Sequence, residues 1–450
     1  MKHLLSSILI SFSTFPFPAA LLAEPFPQTV TQLTPKLDQE PLIEIVSKME
    51  QTWENHYRDH LDRDFSTTIV TPQKVEASLQ QAKLATNSKA AFIWINAYPD
   101  YLRITISTEN KTQLYNIEVT RKDVLKQVEQ FVTALETPFL SPKSEYLPPA
   151  QALYGWLIEP ILPVLERENI DTLIFCLGKG LRVLPFAALH NGGNFLIEDY
   201  AVSRLPAFSL TNMEASSLQN SNVLAMGASE FQDLISLPSV PIELSAIAQD
   251  FWQGQSFLNQ EFTLNNLTAQ IAREPFSIVH LATHAKIESG KPRNSYIQLW
   301  NEQLNLDQIP SLAEQVGWST IELLVLSACD TAVINEQTET IDEEVEMSFA
   351  GLALQAGVKS VIASSWDVSD QGTLGLMVQF YQELQTAPTK TIALQRAQLA
   401  LLNQRVRIEG NTLSNLRGDT PLPETLVSNA QQDFSHPYYW STFTVIGNPW

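Results

Sequence analysis

From residue 222 onward the chain repeats one unit, a short apolar run followed by an amphipathic segment at helical spacing. The runs are "NVLAMG" (222–227), "FSIVHLAT" (276–283), "IELLVLSA" (321–328) and "SVIASSW" (360–366), with the shorter "SFLN" and "YIQLW" among them. The helix-patterned segments are "IELSAIAQDFW", "TLNNLTAQIAR", "DQIPSLAEQV", "EMSFAGLALQAG" and "GTLGLMVQFYQELQ". Such a chain buries its runs as a mostly parallel sheet with helices on both faces, which predicts an α/β fold. An earlier series has the same character: strands "AAFIWINAY" and "YLRITIST", helices "RKDVLKQVEQFVTAL" and "AQALYGWLIEPILPVLE", then the strand "DTLIFCL". The pattern divides the chain into halves at 76–215 and 216–450, preceded by a Pro-rich leader and one helix over 24–75.

The first 23 residues, "MKHLLSSILISFSTFPFPAALLA", combine a basic start, an apolar stretch and small residues ending at Ala23. They read as a secretory signal, with an uncleaved membrane anchor as the alternative, and predict export to a periplasmic or extracellular space. The rest, 44% hydrophobic and 17% charged over 450 residues, is the composition of a packed globular protein. A net charge of -21 without a basic run excludes a nucleic-acid surface. No segment beyond the export signal suits a membrane.

Three runs of the second half end directly in reactive side chains: His284, Cys329, and Asp367 with Asp370. Ligands of an open parallel sheet bind at the carboxyl ends of its strands, so all of these converge on one crevice. A cysteine nucleophile needs an imidazole to take its proton and return it to the leaving amine, and His284 suits Cys329 in that role. The backbone N–H groups of Ala285 and Cys329 are placed to hold the oxyanion.

Other readings of these residues remain open. His280 and His284 could hold zinc, but the helical zinc motif needs a Glu where Leu281 stands, and the β-branched Ile278 and Val279 favour a strand. His280, inside the apolar run, is read as a core histidine. The two cysteines, Cys176 and Cys329, could form one disulfide. "MGASE", around Ser229, lacks the pattern of a serine nucleophile elbow. "LGKGLR" lacks that of a dinucleotide loop, leaving Arg182 as an ion-pair donor.

"HLATHA", "LLVLSACDTA" and "GLALQAGVKSVIASSWDVSDQGT" resemble the CHAT domain, a caspase-like family of clan CD cysteine peptidases related to separase. "LYGWLIEPILPVL", "GLRVLPFAALHNGGNFLIEDYAVSRLPAFSL" and "HPYYWSTFTVIGNP" are similar to further blocks of the family, extending the likeness over roughly residues 75 to 450. The resemblance implies a caspase-hemoglobinase-like sandwich, a degenerate first half and a catalytic second half. It implies His284 and Cys329 as a Cys-His dyad that cleaves protein or peptide substrates without a metal or other cofactor. "WDVSD" is similar to a separase segment whose second acid receives a basic side chain, which implies Asp370 in that role, with Asp367 as the alternative; Asp370 or Ser369 could instead cap the following helix. The family usually has Gly where this chain has Ala285, and it commonly carries helical repeats that are not found here. A regulatory partner would then be a separate chain, and a catalytically silent scaffold is the alternative to an enzyme. The acidic "NEQTETIDEEVE" (335–346) reads as a solvated loop or a gate over the crevice.

Overall fold

The structure is a computed structural model that describes residues 41–61, 68–137, 144–219, 221–286, 292–329, 357–415, 418–426 and 432–450. The expected signal segment, the gate 335–346 and most of the helix expected over 346–357 lie outside these residues.

The first half supplies β1 (Ala90–Ala97), β2 (Leu102–Ser107), β3 (Thr112–Ile117), β4 (Thr172–Leu177) and β5 (Ala201–Leu205). The second supplies β6 (Val223–Gly227), β7 (Gly254–Leu258), β8 (Ile278–Lys286), β9 (Tyr296–Gln298), β10 (Gln303–Asn305), β11 (Leu323–Cys329) and β12 (Ser360–Ser364). A side sheet holds β13 (Arg407–Glu409), β14 (Thr412–Asn415) and β15 (Gly418–Pro421), and β16 (Phe443–Gly447) ends the chain's strands. Thirteen of these form one sheet in the order β10-β9-β8-β11-β12-β16-β5-β4-β1-β2-β3, with β6 also on β8 and β7 on β6.

Within each half the central strands are parallel: β6, β8, β11 and β12 in the second, β1, β4 and β5 in the first. β16 runs antiparallel to β12 but parallel to β5, so the two blocks point in opposite directions. The carboxyl ends of the two blocks therefore open on opposite edges of one sheet. His284, Cys329 and the segment after Ser364 share the second block's edge.

Side-chain alternation assigns the two faces of β8. Ile278 and Ala282 pack into the layer of the helices Val240–Ser245 and Asp370–Leu384, whereas Val279 and Leu281 join the core under the helices Leu264–Arg273 and Ile309–Val316. The Leu42–Leu61 helix forms where its apolar spacing predicts it, and buries Val46, Met49 and Trp53. Its buried Glu50 accepts from Trp94 Nε1 (2.6 Å) and from the Ser209 amide (3.1 Å), which ties the helix to β1. Burial pushes the Glu50 carboxyl above its ordinary range.

Several local expectations change. The single helix expected over 150–166 is broken into Leu147–Leu157, a 3-10 turn at Glu159–Ile161 and Leu162–Glu168, because Pro160 and Pro163 cannot donate to a continuous ladder. Among the described residues Arg182 forms no ion pair: its Nε donates to the Leu177 carbonyl (3.2 Å) and its guanidinium lies over the Tyr57 ring at 5.4 Å. No disulfide joins Cys176 to Cys329. Four strand steps separate β4 from β11, about 19 Å at the usual spacing, against about 7 Å for the longest bridged Cα pair. Cys176 is a buried free thiol donating to the Pro206 carbonyl (3.3 Å).

Gly227 ends β6 against β8, where a Cβ would fall on the Ala282 carbonyl oxygen and 2.8 Å from Val240 Cγ1. Gly227→Ala is expected to cost roughly 1–3 kcal/mol by overpacking. A denaturant midpoint lowered at unchanged slope checks it.

Candidate active site

β8 and β11 pair in parallel over seven residues, from Leu323 beside Ile278 to Cys329 beside His284. That register sets Cys329 and His284 next to each other at the carboxyl ends of neighbouring strands, about 4.8 Å apart in the sheet. The spacing of β-branched and apolar residues makes these segments strands, and the shared buried face fixes the register.

The His284 ring is half-buried. Its Nε2 lies 2.8 Å from the Ile235 carbonyl oxygen, and Phe231 contacts it edge-on at 4.8 Å between ring centroids. A carbonyl only accepts, so Nε2 carries the proton and Nδ1 is left as the ring's acceptor. Ile235 and Phe231 belong to the loop between β6 and the Val240–Ser245 helix. This loop is pinned at its base: the Ala228 amide donates to the Ala282 carbonyl (3.0 Å), the Leu237 amide to the Ser229 carbonyl (2.9 Å), and the Ser229 amide to Asn259 Oδ1 (2.8 Å). Ser229, rejected as a nucleophile, thus helps to hold the loop.

The same loop reaches the second acid. The Ser239 amide donates to Asp370 Oδ2 at 3.0 Å. Ser239 is four residues from Ile235, a separation of at most roughly 14 Å. The Asp370 carboxyl is pushed up to about 6 by burial, against hydrogen bonds from Ser239 that lower it and the Glu243 carboxylate that raises it further. Asp367 is exposed, and Ser369 caps the Asp370–Leu384 helix by accepting from the Gly372 amide (3.4 Å). Of the two candidate acids, only Asp370 is joined to the loop that orients His284.

His280 is fully buried. Its Nε2 lies 3.0 Å from Glu243 Oε1 without hydrogen-bond alignment, and its Nδ1 is 3.2 Å from the Tyr381 hydroxyl. The two histidines engage separate partners, one beneath the helices and one under the loop, so they do not act as a pair. Ala285 continues β8 beside Ile297 of β9, and it is not among the positive-φ residues. Its Cβ therefore strains no left-handed backbone.

Sequence reasoning did not find Ile235, Phe231, Ser239 or Glu243. The segment "SEFQDLISLPS" has no periodicity, and its one signal was a pair of apolar residues, Leu234 and Ile235, which the structure leaves exposed. The C-terminal block also supports the site: Thr442 Oγ1 accepts from the amides of Ser365 (2.8 Å) and Trp366 (3.2 Å), at the start of the segment that carries Asp367 and Asp370.

The family model of the CHAT domain matches residues 147–448, and the chain belongs to that family. The matched span begins later than the likeness read from the sequence blocks. Among solved structures, Saccharomyces cerevisiae separase in its complex with securin is similar, with a TM-score of 0.54 at 9% identity over 91% of this chain. This chain covers 34% of that one, so it spans about a third of separase's length. The Arg-specific cysteine proteinase gingipain R is similar at a TM-score of 0.39 and 11% identity, over 73% of this chain and 75% of that one. No curated protein matches the chain. The fold is the caspase-like α/β sandwich.

The Asp370 carboxyl gives a test of the site's electrostatics. Because its folded value lies above the ordinary 3.8, its contribution to stability is full below about pH 4 and is lost as pH rises through about 6. Asp370→Asn keeps an acceptor for the Ser239 amide and removes the charge. The favourable field at the helix N-terminus offsets part of the cost, so the variant is expected to be more stable by roughly 1–2 kcal/mol at pH 7.5. The gain should vanish at pH 4.5, read by urea denaturation at both pH values.

Proposed function

We propose that this protein is a cysteine endopeptidase in which Cys329 is the nucleophile and His284 the general acid and base, with a basic residue preferred before the cut bond. The observation that carries the reading is the strand register that pairs Cys329 with His284, together with the Ile235 carbonyl that directs His284 Nδ1 to be the accepting nitrogen.

In this reading Nδ1 takes the Cys329 thiol proton, and the thiolate attacks the substrate carbonyl carbon. The oxyanion is held by backbone N–H groups, those of Ala285 and Cys329 in the first instance. Collapse of the intermediate breaks the C–N bond, and His284 passes its proton to the departing amine. Water, deprotonated by His284, then hydrolyses the thioester and restores the thiol. No metal or other cofactor enters these steps. The Ile235 carbonyl accepts from Nε2 throughout and so holds the ring in one orientation.

Asp370 is the group that would meet an Arg or Lys side chain. A carboxylate raised to about 6 is mostly ionised at neutral pH, and an incoming guanidinium would stabilise that form further. Affinity for basic substrates therefore rises with pH through 6. The separase structure, solved with securin, supports looking for a protein partner of this chain as well.

The test uses the full chain under reducing conditions, with an acyloxymethyl ketone bearing Arg and a peptide library, read by mass spectrometry. Labelling of Cys329 and library cleavage are expected in the native protein, with both lost in Cys329→Ala. His284→Ala should lower kcat by roughly 10²–10⁴-fold. Asp370→Ala should lower kcat/KM for Arg substrates by roughly 10–100-fold, mainly through KM. Absence of both labelling and cleavage in the native chain would overturn the reading in favour of a catalytically silent scaffold.

A further inference from the structure

The loop between β6 and the Val240–Ser245 helix is fixed at both ends, by the amide bonds of Ala228 and Ser229 at one and by the buried Leu237 at the other. Its tip nevertheless holds apolar side chains in solvent: Ile235 is 82% exposed and the adjacent Leu234 41%. Among the described residues the other exposed large apolar side chains are Ile43, Ile69 and Leu84, all of which precede β1. A single exposed isoleucine needs no explanation. What sets Ile235 apart is its attachment to the candidate active site.

The Ile235 carbonyl oxygen stands 2.8 Å from His284 Nε2. The Ile235 Cβ is three bonds from that oxygen, so it lies within about 7 Å of the imidazole nitrogen. Phe231, half-buried against both core layers, contacts the same ring at 4.8 Å between centroids. Two apolar side chains of one pinned loop therefore adjoin His284. In the proposed chemistry His284 gives its proton to the departing amine, so the residue after the cut bond is the part of the substrate that comes to this ring. The residue before the cut is met by Asp370, and the two recognition tasks fall on different groups. Because Ile235 is exposed in the free protein, covering it removes apolar surface from water, which favours a substrate with an apolar group there. The exposed carboxylates of the same loop, Glu230 and Asp233, oppose an acidic one.

We propose that Ile235, with Phe231 beside it, selects an apolar side chain on the residue directly after the cut bond. This rests on the reading of Cys329 and His284 as the dyad, and adds to it a specificity element on the leaving-group side. An isoleucine side chain left in solvent at a loop tip contributes little to the fold, so position 235 can be varied to test recognition without unfolding the protein.

The test incubates the full chain under reducing conditions with three peptides that carry Arg before the cut bond and Leu, Ser or Asp after it, and reads kcat/KM for each by mass spectrometry. The native protein is expected to prefer Leu over Ser by roughly 5–10-fold, the worth of partly covering one such side chain, and Leu over Asp by more. Ile235→Ser should abolish the preference for Leu over Ser, and Ile235→Lys should raise Asp above Leu. A change in the orientation of His284 alters all three substrates alike and leaves these ratios unmoved. Cleavage by the native protein without preference for Leu, variants that keep the native ratios, or variants that cleave none of the three would overturn this inference while the dyad reading stands. A native protein that cleaves none of them overturns it as well, and absence of Cys329 labelling by the Arg acyloxymethyl ketone then marks the failure as that of the dyad reading.

Discussion

The five residues of β16 hold the two halves of this protein in one sheet. They pair along their whole length with β12 and, through Val445 and Ile446, with β5. Being antiparallel to one and parallel to the other, β16 reverses the direction of the sheet. The strand is fixed from several sides. Gln398 Nε2 donates to the Trp440 and Phe443 carbonyls at 2.8 and 3.0 Å, and Gly447 adopts a φ of +98° where a Cβ would stand 2.6 Å from the Lys359 carbonyl oxygen. A side chain there would have to displace backbone rather than a flexible neighbour. The reversal decides which edge can carry chemistry with His284, because the first block's carboxyl ends face the other way.

The edge that carries His284 depends in turn on a loop that acts through its backbone. Its value lies in placing two backbone atoms, the Ile235 carbonyl and the Ser239 amide, against His284 and Asp370. Backbone groups held by a pinned loop need no reorganisation when charge develops, so they orient a ring or a carboxylate more rigidly than a mobile side chain would. Beneath them, His280, Glu243 and Tyr381 form a buried polar cluster, with burial and Glu243 pushing the Tyr381 hydroxyl well above its ordinary range. Glu243 also acts on Asp370, so the cluster and the crevice share one electrostatic field.

The central strands and the identity of the residues at their ends were legible in the sequence, because a fully buried strand leaves an apolar run that no surface helix imitates. The direction of the first block was not. β16 is five residues long and sits inside "HPYYWSTFTVIGNP", where Pro, Tyr and Trp hide its period. β3, half-buried over most of its length, and β13–β15 are likewise too short or too polar to register. The Pro72–Thr86 helix escaped because its polar residues spread around its circumference, leaving only Pro72, Val75, Leu79 and Ala82 buried. At the site, the side chains His284 and Asp370 could be read from type and position, whereas the partners that orient them are backbone atoms of Ile235 and Ser239. No residue preference encodes a carbonyl, so that part of the site could emerge only from the fold.

The field at the N-terminus of its own helix offsets only part of the cost of the Asp370 charge. Ser369 supplies the cap, so a neutral polar residue at 370 would serve the helix nearly as well and would avoid the cost of a buried carboxylate beside Glu243. An asparagine could still accept from the Ser239 amide. Both burial and a like charge thus oppose ionisation of the carboxyl at this position. On the proposed reading, a cation entering the crevice would offset both costs, and the site would then distinguish a basic side chain from a neutral one by the energy of an unsatisfied charge rather than by shape alone.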